Sequence, residues 1–114
     1  MRIDVKGRNF TVDDHLRERV QKRFEKIAKQ VSEAASMELE LIEERNPSIH
    51  ERCVAEATLH LKGVTLRARD ASDAMPHAIN LVADELSRQV KRHRDKRRGR
   101  RGAPTKVEAR PATP

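Results

Sequence analysis

The sequence predicts a two-layer α+β fold in the order β-α-β-β-β-α, with a four-stranded sheet that carries both helices on one face. Apolar residues alternate with polar ones in four segments and recur at steps of three and four in two others. Each segment has a single apolar face, so two layers can bury all of them while the second sheet face stays in water. The length of 114 residues fits one domain.

The first strand and the first helix follow one another closely. Residues 2–6 alternate between apolar and charged side chains, as in a half-buried strand. Thr11 is the predicted N-cap of the helix, because Asp14 stands three residues later in the position of a capping-box acid. The buried stripe of this helix covers about five turns. Its members are Val12, Leu16, Val20, Phe24, Ile27 and Val31.

Three further strands are predicted between residues 35 and 69. Residues 44–48 have the composition of a turn, and Lys62-Gly63 forms a tight reversal. The two short connections favour an antiparallel meander. The inward-facing side chains are Met37, Leu39, Leu41, Cys53, Ala55, Ala57, Leu59, Leu61, Val64, Leu66 and Ala68.

The second helix is predicted to begin after Asp73 as its N-cap. Pro76 then falls in the first turn, where its missing N–H costs nothing. The apolar stripe ends at Val90, but no helix breaker occurs before Gly99, so the helix is expected to continue as a polar rod. These features predict a domain over residues 1–98, and over residues 99–114 a disordered basic tail that contains proline or the start of a linker.

Positive charge is concentrated at the end of the chain. Residues 1–87 hold 14 basic and 16 acidic side chains, whereas residues 88–114 hold 11 basic and 2 acidic ones. Basic residues also follow the first helix at steps of three and four. If the helices pack side by side, the two sets form one basic ridge for a polyanion. The candidate RNA-binding residues are Arg19, Lys22, Arg23, Lys26, Lys29, Arg88, Lys91, Arg92, Arg94, Lys96, Arg97 and Arg98.

The ridge predicts recognition of RNA shape and backbone. The chain has no Trp or Tyr to stack on bases, and the outer sheet face carries Glu38, Glu40 and Glu56, which repel RNA. Phosphate contacts give affinity and salt dependence without reading sequence. The helices are therefore expected to face the nucleic acid.

Other classes of function lack support in the sequence. None of the five histidines pairs with another His or Cys at metal-binding spacing, and no glycine-rich phosphate loop is present, so no metal, cofactor, catalytic residue or small-molecule substrate is expected. The single cysteine, Cys53, lies in an apolar alternation and fits a reducing compartment. With no signal peptide or membrane-spanning run, a cytoplasmic protein is expected.

Three stretches resemble the ribosome hibernation promoting factor family, also called ribosome-associated inhibitors, ribosomal subunit interface proteins or sigma-factor modulation proteins. They are IDVKGRNFTVDDHLRERVQKRFEKI, CVAEATLHLKGVTLRARDASDAM and AINLVADELSRQVKRHRDK, in that order along the chain. The resemblance implies a fold similar to double-stranded RNA-binding domains. It also implies binding of ribosomal RNA on the small subunit, in the mRNA and tRNA channel near the decoding centre. Members inhibit translation and protect idle ribosomes under stress or in stationary phase.

The chain departs from the family pattern in two ways. Many members have an aromatic residue where this chain has Pro76, so contacts of that ring are absent. Long members carry a second, dimerising domain after a linker. The chain resembles either a short form or the N-terminal domain of a long form, and 100S-type pairing of ribosomes is expected only if a second domain follows.

Two alternatives remain open at this point. One is a protein-interaction module that modulates a transcription factor through the acidic sheet face around Glu38, Glu40 and Glu56. The other is a general binder of structured RNA, which would bind any duplex as well as it binds assembled ribosomes.

Overall fold

The predicted β-α-β-β-β-α order is confirmed by the structure, a computed structural model that describes residues 1–46 and 48–102. The elements are β1 (Arg2–Arg8), α1 (Asp14–Ala28), β2 (Ser36–Glu43), β3 (Cys53–Leu61), β4 (Val64–Ser72) and α2 (Met75–Gly102).

One sheet contains the four strands in the order β1-β2-β3-β4. β1 and β2 are parallel because α1 connects them as a crossover, whereas β2, β3 and β4 form the predicted antiparallel meander. Gly63 turns the chain between β3 and β4 with a φ of +79°, a conformation that glycine adopts without steric cost.

A single core lies between the sheet and the two helices. Val20, Phe24 and Ile27 of α1 are buried in the same cluster as Ile79 and Leu86 of α2. The inward-facing side chains of the sheet complete this cluster, among them Met37, Leu39, Leu41, Ala55, Ala57 and Leu59. Both helices therefore lie on one face of the sheet, and their opposite sides remain available to solvent.

The predicted limits of α1 were wrong at both ends. The N-cap is Asp13, whose carboxylate accepts a hydrogen bond from the Leu16 N–H at 2.8 Å; Thr11 is not the cap. The helix ends at Ala28, and the Gln30 N–H closes a turn onto the Ile27 carbonyl at 2.9 Å. Val31 still packs against the core, because the turn after the helix keeps Val31 on the same side as the buried residues of α1.

The limits of α2 also differ from the prediction. The helix begins at Met75, so Ala74 and not Asp73 is the residue that precedes it. The Ala74 N–H donates a hydrogen bond to the buried Ser72 hydroxyl oxygen at 3.3 Å. At the other end α2 continues past Gly99 to Gly102, because one glycine costs a helix only about 1 kcal/mol relative to alanine. The rest of the predicted tail, residues 103–114, lies outside the described residues.

The outer sheet face is not polar throughout. Ile42 and Val54 stand opposite each other in the β2–β3 register on that face and are only 5% and 4% exposed. Neither belongs to the main core cluster. Apart from this pair, charged and polar side chains dominate the outer rows of the four strands.

Candidate nucleic-acid interface

Two contacts hold α1 and α2 side by side. The Arg23 guanidinium of α1 lies 2.7 Å from the Asp84 carboxylate of α2, and the Arg94 guanidinium of α2 donates to the Gln30 side-chain carbonyl at 3.3 Å. Arg94 follows Asp84 along α2, and Gln30 follows Arg23 just beyond the end of α1, so the two helices run in the same direction. The two helices that carry the predicted basic stripes are therefore neighbours.

The α1 stripe lies on the solvent side of its helix. At 100° per residue its five members cover an arc of about 120°, which is centred away from the buried Val20, Phe24 and Ile27. All five are exposed: Arg19, Lys22, Arg23, Lys26 and Lys29. A shallow hollow on this surface is lined by His15, Glu18, Arg19 and Lys22.

The candidate RNA-binding residues of α2 differ in their exposure to solvent. Four are exposed: Arg88, Lys91, Arg92 and Lys96. Arg94 is half-buried between the helices, its Nη1 is bound to Gln30, and its buried Nε has no hydrogen-bond partner among the described residues. Arg94 therefore joins the helices and is less accessible to RNA than its neighbours. Arg97 and Arg98 lie within α2, but their side chains lie outside the description.

Some of the ridge is neutralised by the protein's own acids. The ion pairs are Arg23 with Asp84 (2.7 Å), Lys29 with Glu25 (3.4 Å), Arg88 with Glu85 (2.8 Å) and Arg92 with Glu85 (3.8 Å). Within residues 1–46 and 48–96, no ion pair involves Arg19, Lys22, Lys26, Lys91 or Lys96. Exposed pairs contribute at most about 1 kcal/mol, so a phosphate can compete for the paired residues as well.

Glu85 and Gln89 are absent from the predicted site. Gln89 donates to the Glu85 carboxylate at 3.1 Å and to the backbone carbonyl of Arg67 in β4 at 2.7 Å. The i,i+3 and i,i+4 spacings of Glu85 to Arg88 and Gln89 are visible in the sequence. The contact of Gln89 with β4 depends on the tertiary fold and has no sequence signal.

The outer sheet face is not the acidic surface that the sequence suggested. Two of its three glutamates lie beside an arginine: Glu40 beside Arg8 (3.3 Å) and Glu56 beside Arg69 (3.7 Å). The third, Glu38, lies 3.9 Å from the His60 ring, which carries a positive charge only when it is protonated. This balance of charge weakens the case for a protein-interaction module that would use an acidic sheet.

The described residues form neither a metal-binding cluster nor a membrane-spanning helix. They contain no group of three or more His, Cys, Asp or Glu side chains placed to hold a metal ion. None of the helices described is both long and apolar enough to cross a membrane. Burial, together with the nearby Glu43 and Asp73 carboxylates, raises the pKa of the Cys53 thiol, against a lowering effect of Arg52.

Several known proteins are similar to this chain in sequence, and their names refer to ribosome hibernation. The "Ribosome hibernation promotion factor" of Picosynechococcus sp. is 26% identical over 102 residues, which cover 89% of this chain and 53% of that protein. The "Ribosome hibernation promoting factor" of Salmonella typhimurium is 30% identical over 96 residues, which cover 84% of this chain and 96% of that protein. The chain thus spans about half of one relative and nearly all of the other.

The fold is also found in a solved structure. A ribosomal subunit interface protein from Coxiella burnetii superposes with a TM-score of 0.71 at 19% identity, covering 83% of this chain and 99% of that one. The model of the family described as "Sigma 54 modulation protein / S30EA ribosomal protein" matches residues 3–98. That match takes in every strand, α1 and most of α2. The chain therefore belongs to the Sigma 54 modulation protein / S30EA ribosomal protein family, as its resemblance to hibernation factors predicted.

Proposed function

We propose that this chain is a ribosome hibernation factor that binds the small ribosomal subunit in the mRNA and tRNA channel near the decoding centre. There it inhibits translation and protects idle ribosomes under stress or in stationary phase. Family membership and the names of the relatives support a ribosome-associated hibernation role. Neither the family description nor those names denote an enzyme.

The observation that carries the proposal is the basic ridge on two helices that are held side by side. α2 extends by about 18 Å beyond Val90, the last buried residue in the part of the helix up to residue 96, and basic residues continue along this extension in the sequence. Side chains on rigid helices meet phosphates without ordering a loop, and such contacts favour folded RNA over any particular base sequence. Ribosomal RNA is a ligand of this kind.

The proposed mechanism is occupancy. Phosphate contacts along the helices would hold the domain in the channel, and the two-layer body behind them would exclude mRNA and tRNA sterically. The exposed basic side chains of the helices would supply the charge for this role, and the folded two-layer body would supply the volume. Affinity for ribosomes should then fall steeply with salt, because each neutralised phosphate releases counterions.

Charge reversal on one residue of each helix tests the proposal. Lys22→Glu with Lys91→Glu changes two exposed lysines that make no ion pair among residues 1–46 and 48–96. The double variant should lose co-sedimentation with small subunits in sucrose gradients and should no longer inhibit translation in a cell-free assay.

The matched control is Lys6→Glu with Lys62→Glu. It makes the same change in net charge at two exposed lysines outside the predicted ridge, one on β1 and one in the β3–β4 turn. It should sediment with small subunits as the unaltered protein does. Equal loss in both variants, or retained binding in the helix variant, would contradict the assignment of the interface to the helices.

A further inference from the structure

We infer that Glu85 and Gln89 hold Arg88 and Arg92 as a preformed two-arginine site for neighbouring phosphates of the RNA backbone. The inference rests on the proposed function, since it takes the helical face to be the side that meets RNA. It assigns a positioning role to an acidic residue inside a basic surface, where simple charge counting predicts only repulsion.

The Glu85 carboxylate is the centre of the cluster. Its Oε1 accepts a hydrogen bond from Arg88 Nη2 at 2.8 Å, and its Oε2 accepts one from Gln89 Nε2 at 3.1 Å. Arg92 Nη2 lies 3.8 Å from the same Oε2, which is an ion pair without a direct hydrogen bond. One carboxylate thus gathers two guanidinium groups that lie one helical turn apart.

The cluster is anchored to the sheet. Gln89 also donates from its amide nitrogen to the Arg67 backbone carbonyl at 2.7 Å, which ties this side of α2 to β4. The Glu85 side chain is 34% exposed, compared with 63% and 69% for the two arginines. Glu85 is therefore the more fixed partner, and the arginines extend from it into solvent.

The arginines keep donors for a ligand while they contact Glu85. A guanidinium has five N–H donors, and each arginine uses only Nη2 toward the carboxylate. The Nε–H and the Nη1 donors remain for phosphate oxygens. Binding then needs little further ordering of two long side chains, and that ordering would otherwise reduce affinity.

The state of Glu85 agrees with this arrangement. Hydrogen bonds from Arg88 and Gln89, followed by the positive charges of Arg88 and Arg92, lower the pKa of the Glu85 carboxyl. The carboxylate is therefore charged at neutral pH and can hold both arginines.

The RNA affinity of a Glu85→Gln variant distinguishes a positioning role of Glu85 from simple repulsion of RNA by its charge. Glu85→Gln removes one negative charge from a surface that faces a polyanion, so repulsion alone predicts tighter binding to RNA. Positioning predicts weaker binding, by about threefold to tenfold, because two side chains lose their fixed orientation. It also predicts that the slope of log affinity against log salt becomes shallower by about one, as a phosphate contact is lost.

A second variant removes the effect of charge. Gln89→Ala leaves the net charge unchanged but breaks the link between Glu85 and β4, and it should weaken binding in the same direction. Binding of each variant is measured with purified small ribosomal subunits and with a fluorescent RNA duplex. Thermal unfolding of each variant shows whether the fold persists under the assay conditions.

The matched control is Glu25→Gln on α1. Glu25 is exposed and lies 3.4 Å from Lys29, but no side-chain hydrogen bond within residues 1–46 and 48–96 ties it to the sheet. Its removal should leave RNA affinity unchanged or raise it. If Glu85→Gln and Gln89→Ala both bind as tightly as the unaltered protein or tighter, the positioning role is wrong. If the unaltered protein does not bind subunits at all, it is the proposed function that fails.

Discussion

Gly7 shows how one residue controls the path from β1 into α1. A Cβ at this position would overlap the Phe10 carbonyl oxygen and come within 3.3 Å of the Val12 side chain. The chain turns back so tightly here that Asn9 adopts a φ of +56°. This role of Gly7 could not be predicted from the sequence, because the approach of a backbone carbonyl three residues later has no local signature.

Gly7→Ala should destabilise the protein by about 2 kcal/mol or more, since the added methyl group meets backbone that cannot rotate away. Thermal unfolding followed by circular dichroism measures the loss. Asn9→Gly is the control at the same turn: glycine accepts a positive φ, so the melting temperature should change little. A Gly7→Ala variant as stable as the unaltered protein would show that the turn adapts easily.

The thiol of Cys53 should react slowly with iodoacetamide near neutral pH. Its raised pKa leaves less thiolate than an ordinary cysteine has, and thiolate is the reactive form. The rate should rise with pH and should level off only above the pH at which an ordinary cysteine is fully ionised. At constant pH, the rate should also rise when denaturant exposes the thiol. Mass spectrometry of timed samples gives the rates. Alkylation of the folded protein as fast as that of free cysteine would contradict this account.

At the scale of the elements, periodicity predicted where each helix and strand lies, but not where each helix begins. Val12 and Val31 continue the apolar spacing of α1 and pack against the core, yet both lie outside the helix. Spacing reports which residues are buried, whereas the cap depends on which side chain reaches a free N–H. Thr11 and Asp13 are both capping residue types, and only the three-dimensional path distinguishes them.

The two candidate caps of α1 can be separated by mutation. Asp13→Ala should cost about 1 kcal/mol, because the Leu16 N–H loses its acceptor and the helix N-terminus loses a favourable negative charge. Thr11→Ala should cost clearly less, since Thr11 precedes the N-cap. Urea unfolding of both variants gives the difference. A larger loss for Thr11→Ala would restore the capping box that the sequence suggested.

At the scale of the whole molecule, the two-layer arrangement followed from the sequence because every element has one apolar face. The positions of Arg19, Lys22 and Lys26 on a solvent-facing stripe followed in the same way, from spacing alone. The parallel pairing of β1 with β2 and the contact of Gln89 with β4 did not, because each joins residues that are far apart in the chain. Local patterns carry no information on such contacts.

The distribution of charge between the two layers also became clear only in three dimensions. The sequence placed Glu38, Glu40 and Glu56 on an acidic face, but the strands that flank them supply Arg8 and Arg69. Two of the three glutamates are therefore neutralised from a neighbouring strand. The helical layer, by contrast, keeps exposed lysines that make no ion pair in the described part of the chain.

The contact between Arg94 and Gln30 bears on how a half-buried cation is tolerated. Gln30 lies just beyond the end of α1, where the last carbonyl groups of a helix carry a partial negative charge of about half an electron. Arg94 therefore stands at the negative pole of the neighbouring helix dipole. Its positive charge stabilises the end of α1 even though no carboxylate within residues 1–46 and 48–96 pairs with it. Part of this molecule's basic character thus supports its own architecture.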